Sequence, residues 1–443
     1  MRKNPKTLAL HRGRGRFSSD AQIIQTGDAL MQRTKTVPRQ LTDDLAAWKS
    51  GEPQNAFPYE AVLDCFHRHG RHFVPAPVLE ALAGARDRME PAGQDGDGGI
   101  PLAGFLHMAL DKWDDRHCYA SYLGVDLLAL TPGADGATAE RERREWVALL
   151  LSDLRAFETR NSGDGPADDR FPEQRPGAAL RGKRLTLLDT ALAAALPGEA
   201  PAEVPDVADA AAELRANTPR ERALRLGLCM LPVYVVHDEY LFIRVLQTVE
   251  VTFAAMAAHI RDAIAAATRG DAAGAAGHLR RCTGTLSGVR IIFSLLATMQ
   301  PQSFQTFRVY TVGASAIQSE AYKTFEALCS VPPRERLDSP AFESVPRVRD
   351  DILNDWRDLT STIVSAVSDR TMDEEGLLLV RDAAQQLEDI HQLWKQTHWK
   401  MGRRMIGEQT GTGYTEGVPY LEAAVGNRLF PVLTGTGPGA VRA

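Results

Sequence analysis

Cysteine is scarce in this 443-residue chain, and none of the five (Cys65, Cys118, Cys229, Cys282, Cys329) stands in a CxxC pair. An odd, scattered set argues against a disulfide framework, a thiolate metal cluster or covalent cofactor attachment through CxxCH. An excess of positive charge is missing too: 51 Lys+Arg stand against 57 Asp+Glu, for a net charge of −6. A nucleic-acid partner is therefore not expected, because such binding needs a basic surface to displace counterions. No run of about 18 uninterrupted apolar residues occurs, so no membrane partner is expected. The longest runs, such as 291–299, are short and carry polar breaks. The start is basic (Arg2, Lys3, Lys6, Arg12, Arg14, Arg16) with no apolar stretch or cleavage site behind it, which does not read as a secretory signal. The expected location is the cytoplasm. Alternating β-branched runs, a βαβ rhythm and internal repeats are all lacking.

What remains is helical patterning. Hydrophobic residues make up 44% and charged residues 24% of the chain, the balance of a folded globular protein. The first thirty residues read as a basic tail. Apolar spacing predicts short helices at 61–66 and 77–85, a helical stretch over 102–130, and a strong helix at 137–157. Residues 161–182, rich in Gly, Pro, Asp and Arg, read as an exposed loop with almost no core residues. Helices follow at 185–196, 208–214, 241–267, 275–297, 316–329, 348–367 and 374–406. The fold class is all-α.

The most informative segment is 398–421, HWKMGRRMIGEQTGTGYTEGVPYL. A helix should end at Gly407, a residue suited to the left-handed cap, and a loop with glycines at 411, 413 and 417 should fold back. Glycines let a backbone approach a ligand closely, and Thr412 presents a hydroxyl between two of them. A phosphate loop would need GxxxxGK[ST] after a strand, and neither is present. His398 shares its helical face with Met401 and Met405. It reads either as a hydrogen-bonded helix histidine or as a neutral imidazole ligand for a metal or heme iron. The cluster His67, His69 and His72, interspersed with arginines, reads as a solvated basic patch rather than a metal site, and Asp114–Asp115 as a wet helix face.

The segment resembles the carboxyl-terminal signature of the tryptophan 2,3-dioxygenases, a histidine followed by R-M-I/L-G and a G-T-G-G loop. The spacings from His398 to Gly407 and to Thr412 both match. Three further segments match in order. His237-Asp-Glu-Tyr-Leu-Phe242-Ile, continuing to Gln247 and Glu250, resembles H-D-E-H-L-F-I…H-Q-x-x-E. Met299 through Phe307-Arg308-Val-Tyr310, then 313–319, resembles M-x-P-x-x-F-x-x-F-R-x-Y…S-G-F-Q-S. Tyr119-Ala-Ser-Tyr122-Leu123-Gly-Val-Asp126 resembles Y-x-x-Y-L-x-L-D, a pocket helix that in that family crosses a subunit boundary.

The resemblance implies a heme b enzyme using O₂ as co-substrate, with His398 as the iron ligand and Gly411 and Gly413 beside the cofactor. By the same resemblance Arg308 clamps the substrate carboxylate and Thr412 meets the ammonium, while Phe242, Tyr119 and Tyr122 wall the aromatic ring. Taken singly, these residues have plainer uses: an ion-paired arginine, a turn cap, core aromatics. It also implies a homo-oligomer, dimer or tetramer. The chain divides into an amino-terminal extension (1–117), a pocket helix (118–130), a helical and loop insertion (131–235) and a heme-binding core (236–443).

The departures fall on the ring side. Leu246 stands where the family has a distal histidine, which makes that part of the pocket apolar. Arg244 brings a charge to an apolar position, Phe304 occupies a position where a tyrosine can occur, Ala316-Ile317 replace Gly-Phe, and Tyr414 replaces a glycine. The expected function is O₂-dependent oxidation of L-tryptophan or a tryptophan-derived aromatic amino acid, in specialised metabolism. The alternatives are ring hydroxylation or rearrangement, and a catalytically silent heme- or indole-binding protein.

Overall fold

The computed structural model describes residues 39–49, 56–87, 102–160, 170–196, 206–412 and 415–435. The amino-terminal tail lies outside them, as do Gly413 and Tyr414. The described residues form an all-α fold, with one isolated parallel bridge, Glu173 to Val236, in place of any strand. In chain order the helices are α1 (Arg39–Lys49), α2 (Tyr59–His69), α3 (Ala76–Arg86), α4 (Leu102–Ala109), α5 (Tyr119–Leu123), α6 (Gly136–Arg160), α7 (Ala178–Ala195), α8 (Val207–Ala216) and α9 (Arg220–Leu228). Then come α10 (His237–Thr268), α11 (Ala272–Leu296), α12 (Pro301–Thr311), α13 (Glu320–Cys329), α14 (Arg334–Leu337), α15 (Pro340–Glu343), α16 (Pro346–Asn354), α17 (Leu359–Ser368), α18 (Glu374–Ile406) and α19 (Val418–Val425).

Helix α10 is the axis. Apolar on nearly every face, it packs against α6, α11, α13 and α17. A helix hydrophobic all round belongs inside a large core. It is the one described helix long and apolar enough to cross a membrane, and 83% of that stretch is buried inside the fold. Helix α11 lies between α10 and α18. The 33 residues of α18 extend about 50 Å at 1.5 Å per residue. It has the bounds that its apolar spacing predicts. Asp373 caps its start by accepting from Gly376 N (2.8 Å), and it ends at Gly407, whose φ of 61° suits a residue without a Cβ.

Several expectations are corrected. The 102–130 stretch breaks into α4, α5 and a short 3₁₀ turn, 316–329 into a 3₁₀ turn and α13, and 348–367 into α16 and α17. Each break is local: Gly124 takes φ 60°, Ser315 closes a capping box with Gln318, and Asp358 caps α17 through Ser361 N (2.9 Å). The exposed loop at 161–182 is overturned where it is described, because Phe171 is buried and α7 already begins at Ala178. The solvated patch around His67–His72 is overturned in part: Arg68 and His72 are exposed, but the others are not. Arg71 is buried and donates to the carbonyls of Ser121 (3.0 Å) and Leu231 (2.8 Å), and His69 is buried. The His67 ring bonds Met230 O at 2.8 Å, and burial holds its pKa down at about 4. Backbone carbonyls, not solvent, accept from Arg71 Nη2 and bond the His67 and His69 rings.

A buried polar knot ties α6 and α7 to α10. From α7, fully buried Arg184 reaches Glu158 on α6 (2.9 Å), Asp238 on α10 (2.8 Å) and Thr298 Oγ1 (3.1 Å). Burial would raise the Glu158 carboxyl, but His237 and Arg184 outweigh it and hold its pKa low. Asp238 also accepts from Gln300 N (2.7 Å), which sets the entry into α12.

Candidate functional site

Eight helices and two loops enclose a cavity of about 240 Å³. Helix α10 presents Phe242, Leu246, Val249, Glu250 and Phe253 to it, a spacing of four, three, one and three residues that follows one helical stripe. Opposite, α18 presents Trp394, Lys395, His398, Met401, Gly402 and Met405. Phe293 and Leu296 of α11 and Phe304, Phe307 and Arg308 of α12 fill the sides. Gly411 and Thr412 close one end with Tyr420 and Leu421 of α19.

His398 is half-buried, its ring 6.1 Å from that of Phe293 and 5.8 Å from that of Trp394. Burial alone depresses its pKa to about 4, so the imidazole is neutral at pH 7. No hydrogen bond to either nitrogen occurs among the described residues. Gly402, one turn later, has no Cβ; one there would come 2.5 Å from Leu421 Cδ1. The histidine thus offers a free lone pair toward the cavity.

Arg308 stands at the rim. Its guanidinium donates to Gln409 Oε1 (2.6 Å), to Gln305 Oε1 (3.4 Å) and to the carbonyl of Thr410, and lies 5.8 Å from the Phe304 ring. All three acceptors are neutral, and among the described residues no carboxylate pairs with it. Desolvation is the sole cause that lowers its pKa. A charged, forked donor without a counter-ion suits a carboxylate ligand. Thr412 and Gly411 line both the cavity and a smaller groove outside Arg308. The Gly411 N–H donates to Thr415 O (3.0 Å), doubling the loop back; Gly413 is outside the described residues.

Tyr119 and Tyr122 come to the cavity from α5 of the same chain, where the resemblance places such a helix across a subunit boundary. Both are fixed by buried acids. Tyr119 Oη donates to Glu250 (3.0 Å), which also accepts from Ser319 Oγ (3.0 Å). Tyr122 Oη donates to Glu239 (3.1 Å), which accepts the N–H groups of Val233 (2.7 Å) and Tyr234 (3.0 Å). Burial raises the Glu250 carboxyl to about 7 and Glu239 to about 8. Of the ring-side departures, Leu246, Phe304, Ala316 and Ile317 face the cavity. Arg244 does not line it. It is buried against Asp153 (2.7 Å), Gln247 (2.8 Å) and the carbonyl of Leu226 (2.9 Å).

Sequence reading missed one end of the cavity. Lys323, Arg336 and Lys395 line it, around the buried carboxylate of Glu326. Arg336 meets that carboxylate at 2.8 Å and Lys323 at 3.5 Å, while Lys395 donates to Asn427 O (2.5 Å). Desolvation brings both lysines down to about 8, and the cations outweigh burial to hold Glu326 at about 2. Three cations face one carboxylate there. No local pattern in the sequence marks them, since they come from α13, α14 and α18.

Fold and site together define an all-α protein whose helices wrap an aromatic cavity holding a neutral histidine, an arginine without a counter-ion and a glycine–threonine loop. No family model matches the chain. It is 29% identical to the tryptophan 2,3-dioxygenase of Polaromonas naphthalenivorans (strain CJ2), in an alignment of 237 residues covering 45% of this chain and 83% of the relative. It is 25% identical to that of Arthrobacter sp. (strain FB24) over 232 residues, 44% of this chain and 81% of the relative. Against that of Anaeromyxobacter sp. (strain K) the figures are 27% over 226 residues, 44% and 85%. These similarities support the chain as a member of the tryptophan 2,3-dioxygenase-like superfamily.

Proposed function

We propose that this protein is a heme-dependent oxygenase that oxidises L-tryptophan or a tryptophan-derived aromatic amino acid, serving specialised metabolism in the cytoplasm. The observation that carries the reading is convergence: Tyr119, Phe242, Arg308 and the His398–Thr412 pair, from four separate segments, line one cavity. The residues present fit a heme. The neutral His398 imidazole is a competent iron ligand. Lys323, Arg336 and Lys395 would face the porphyrin's carboxylates. Gly411 and Gly413 are proposed beside the cofactor. When bound, heme b supplies the iron chemistry that activates O₂.

The chain's own residues hold and orient the substrate. Arg308 would exchange its neutral acceptors for the substrate carboxylate, two parallel N–H donors fixing the amino-acid end. Thr412 would take the ammonium through its hydroxyl. Phe242, Tyr119 and Tyr122 wall the ring, and the buried acids behind the tyrosines keep that wall rigid. Holding ring and O₂ at contact distance lowers the barrier by up to roughly 7–11 kcal/mol.

One observation favours a second outcome at the ring. Leu246 offers no polar atom to an indole N–H, so a substituted indole fits as well as an unsubstituted one, and hydroxylation or rearrangement becomes an alternative to 2,3-cleavage.

Two measurements test the proposal. Purified full-length protein supplied with heme should show a Soret band that is lost or shifted in His398→Ala; an unchanged spectrum refutes the ligand assignment. Mass spectrometry after incubating the reduced protein with tryptophan and O₂ should show a gain of two oxygens for cleavage or one for hydroxylation. Clear binding without turnover would identify a silent binding protein instead.

A further inference from the structure

Away from the cavity, at the far end of α10, three metal-ligating side chains converge. His259 and Asp262 are three residues apart on one face of α10, and His278 faces them from α11. Their ligating atoms all lie within 4.8 Å of one another. We propose that His259, Asp262 and His278 form a second, structural metal site, for a first-row divalent cation such as zinc. It would clasp α10 to α11 beside the start of α6.

The geometry is already close to that of a bound site. The two Nδ1 atoms stand 3.2 Å apart. Two nitrogens bound tetrahedrally at about 2.0–2.1 Å would be separated by about 3.3 Å. His278 Nδ1 and Asp262 Oδ2 are 3.9 Å apart, so the carboxylate must close by a few tenths of an ångström. Its side chain is 30% exposed and has the freedom to do so. Without a cation, two facing Nδ1 atoms can share only one proton; a cation accepts both lone pairs at once. The other nitrogen of His259 is buried without a partner among the described residues, so that ring's polar contacts are made within the cluster.

The surroundings orient the ligands. The Gly136 N–H donates to Asp262 Oδ2 (2.8 Å), a single backbone bond that orients the carboxylate and still allows a shift of a few tenths of an ångström. A Cβ on Gly136 would lie 2.1 Å from His259 Nδ1, so the glycine keeps the space beside that nitrogen clear. Glu140, itself paired with Arg143 at 2.7 Å, and Arg281 also act on His259 electrostatically, and their charges oppose each other. His278 is 27% exposed, which gives a cation an entry path. Two imidazoles with one carboxylate select zinc-like ions over calcium or magnesium, which prefer all-oxygen sites. A water would complete the fourth position.

The site does not depend on the cavity or on its cofactor. The test uses untagged, full-length, heme-loaded protein stripped with EDTA and then dialysed against zinc with a competing chelator. Zinc is counted by elemental mass spectrometry, which separates it from heme iron. One zinc per chain is expected, with binding at least about 30-fold weaker in His278→Ala and Asp262→Asn. Zinc should also raise the unfolding temperature of the wild type and not that of either variant. His278 is half-buried and Asp262→Asn keeps an acceptor for Gly136, so both variants should fold, which circular dichroism checks. Failure of the wild type to retain zinc, or equal retention by wild type and variants, overturns the proposal.

Discussion

Replacing Arg308 by alanine removes a cation whose present acceptors, Gln305, Gln409 and the Thr410 carbonyl, are all neutral. In the unliganded protein the loss is small, because at a partly exposed site water can replace the guanidinium's bonds to neutral oxygens, leaving each a net contribution of about 1 kcal/mol. With substrate bound, a charge-assisted pair is lost instead. Such bonds contribute about 1.5–3 kcal/mol, and the neutral acceptors released on binding offset part of that. A net loss of about 2 kcal/mol corresponds to roughly 30-fold weaker binding of L-tryptophan. The assay is calorimetric titration with L-tryptophan and, in parallel, with tryptamine, which keeps the indole and ammonium but lacks the carboxylate. Wild type and Arg308→Ala should bind tryptamine alike and differ on tryptophan. Arg308→Lys should recover only part of the difference, since an ammonium lacks the planar fork. Equal losses for both ligands, or none for tryptophan, would refute the carboxylate role.

Other predictions concern the ring, the knot and pH. Leu246→His places a polar group on the cavity wall and should increase the preference for tryptophan over 1-methyltryptophan about fivefold, near 1 kcal/mol; an unchanged ratio would remove Leu246 from the ring nitrogen. Arg184→Leu leaves Glu158 and Asp238 buried without their cation and should cost about 3–5 kcal/mol in urea unfolding. Adding Glu158→Gln and Asp238→Asn should restore much of it, and no restoration would mean that lost packing, not charge, is the cause. Glu250, raised by burial from 4.5 to about 7, holds its proton more tightly folded than unfolded. Its contribution to stability therefore falls as pH rises between those values, by roughly 3 kcal/mol. Glu250→Gln should flatten the stability difference between pH 5 and pH 8, and an unaltered pH profile would contradict the buried-acid assignment.

Much of the fold was legible because helices are local. A backbone hydrogen bond closes within four residues, so apolar spacing alone marks α10, α11 and α18. Shorter elements were misjudged where one residue interrupts a helix: Gly124 by its positive φ, Asp358 by capping the start of α17 after the mostly polar stretch 354–357. The histidine and threonine of the site were legible for a similar reason, since 398–412 is a single helix end and loop.

Other features were decided by packing. Residues 161–182 were read as exposed on composition, yet Phe171 is in the core, because burial depends on what packs above a residue. The sequence by itself determined the all-α class and the long helices and, through the family resemblance, pointed to Phe242, Leu246, Arg308 and His398 among the residues that face the cavity. Only the tertiary structure decided that Tyr119 and Tyr122 line the cavity of the chain that carries them, that three cations gather at one end of the cavity, and that His259, Asp262 and His278 meet. Helical periodicity states which residues share a face, but the partner across that face is set by the crossing of helices far apart in the chain.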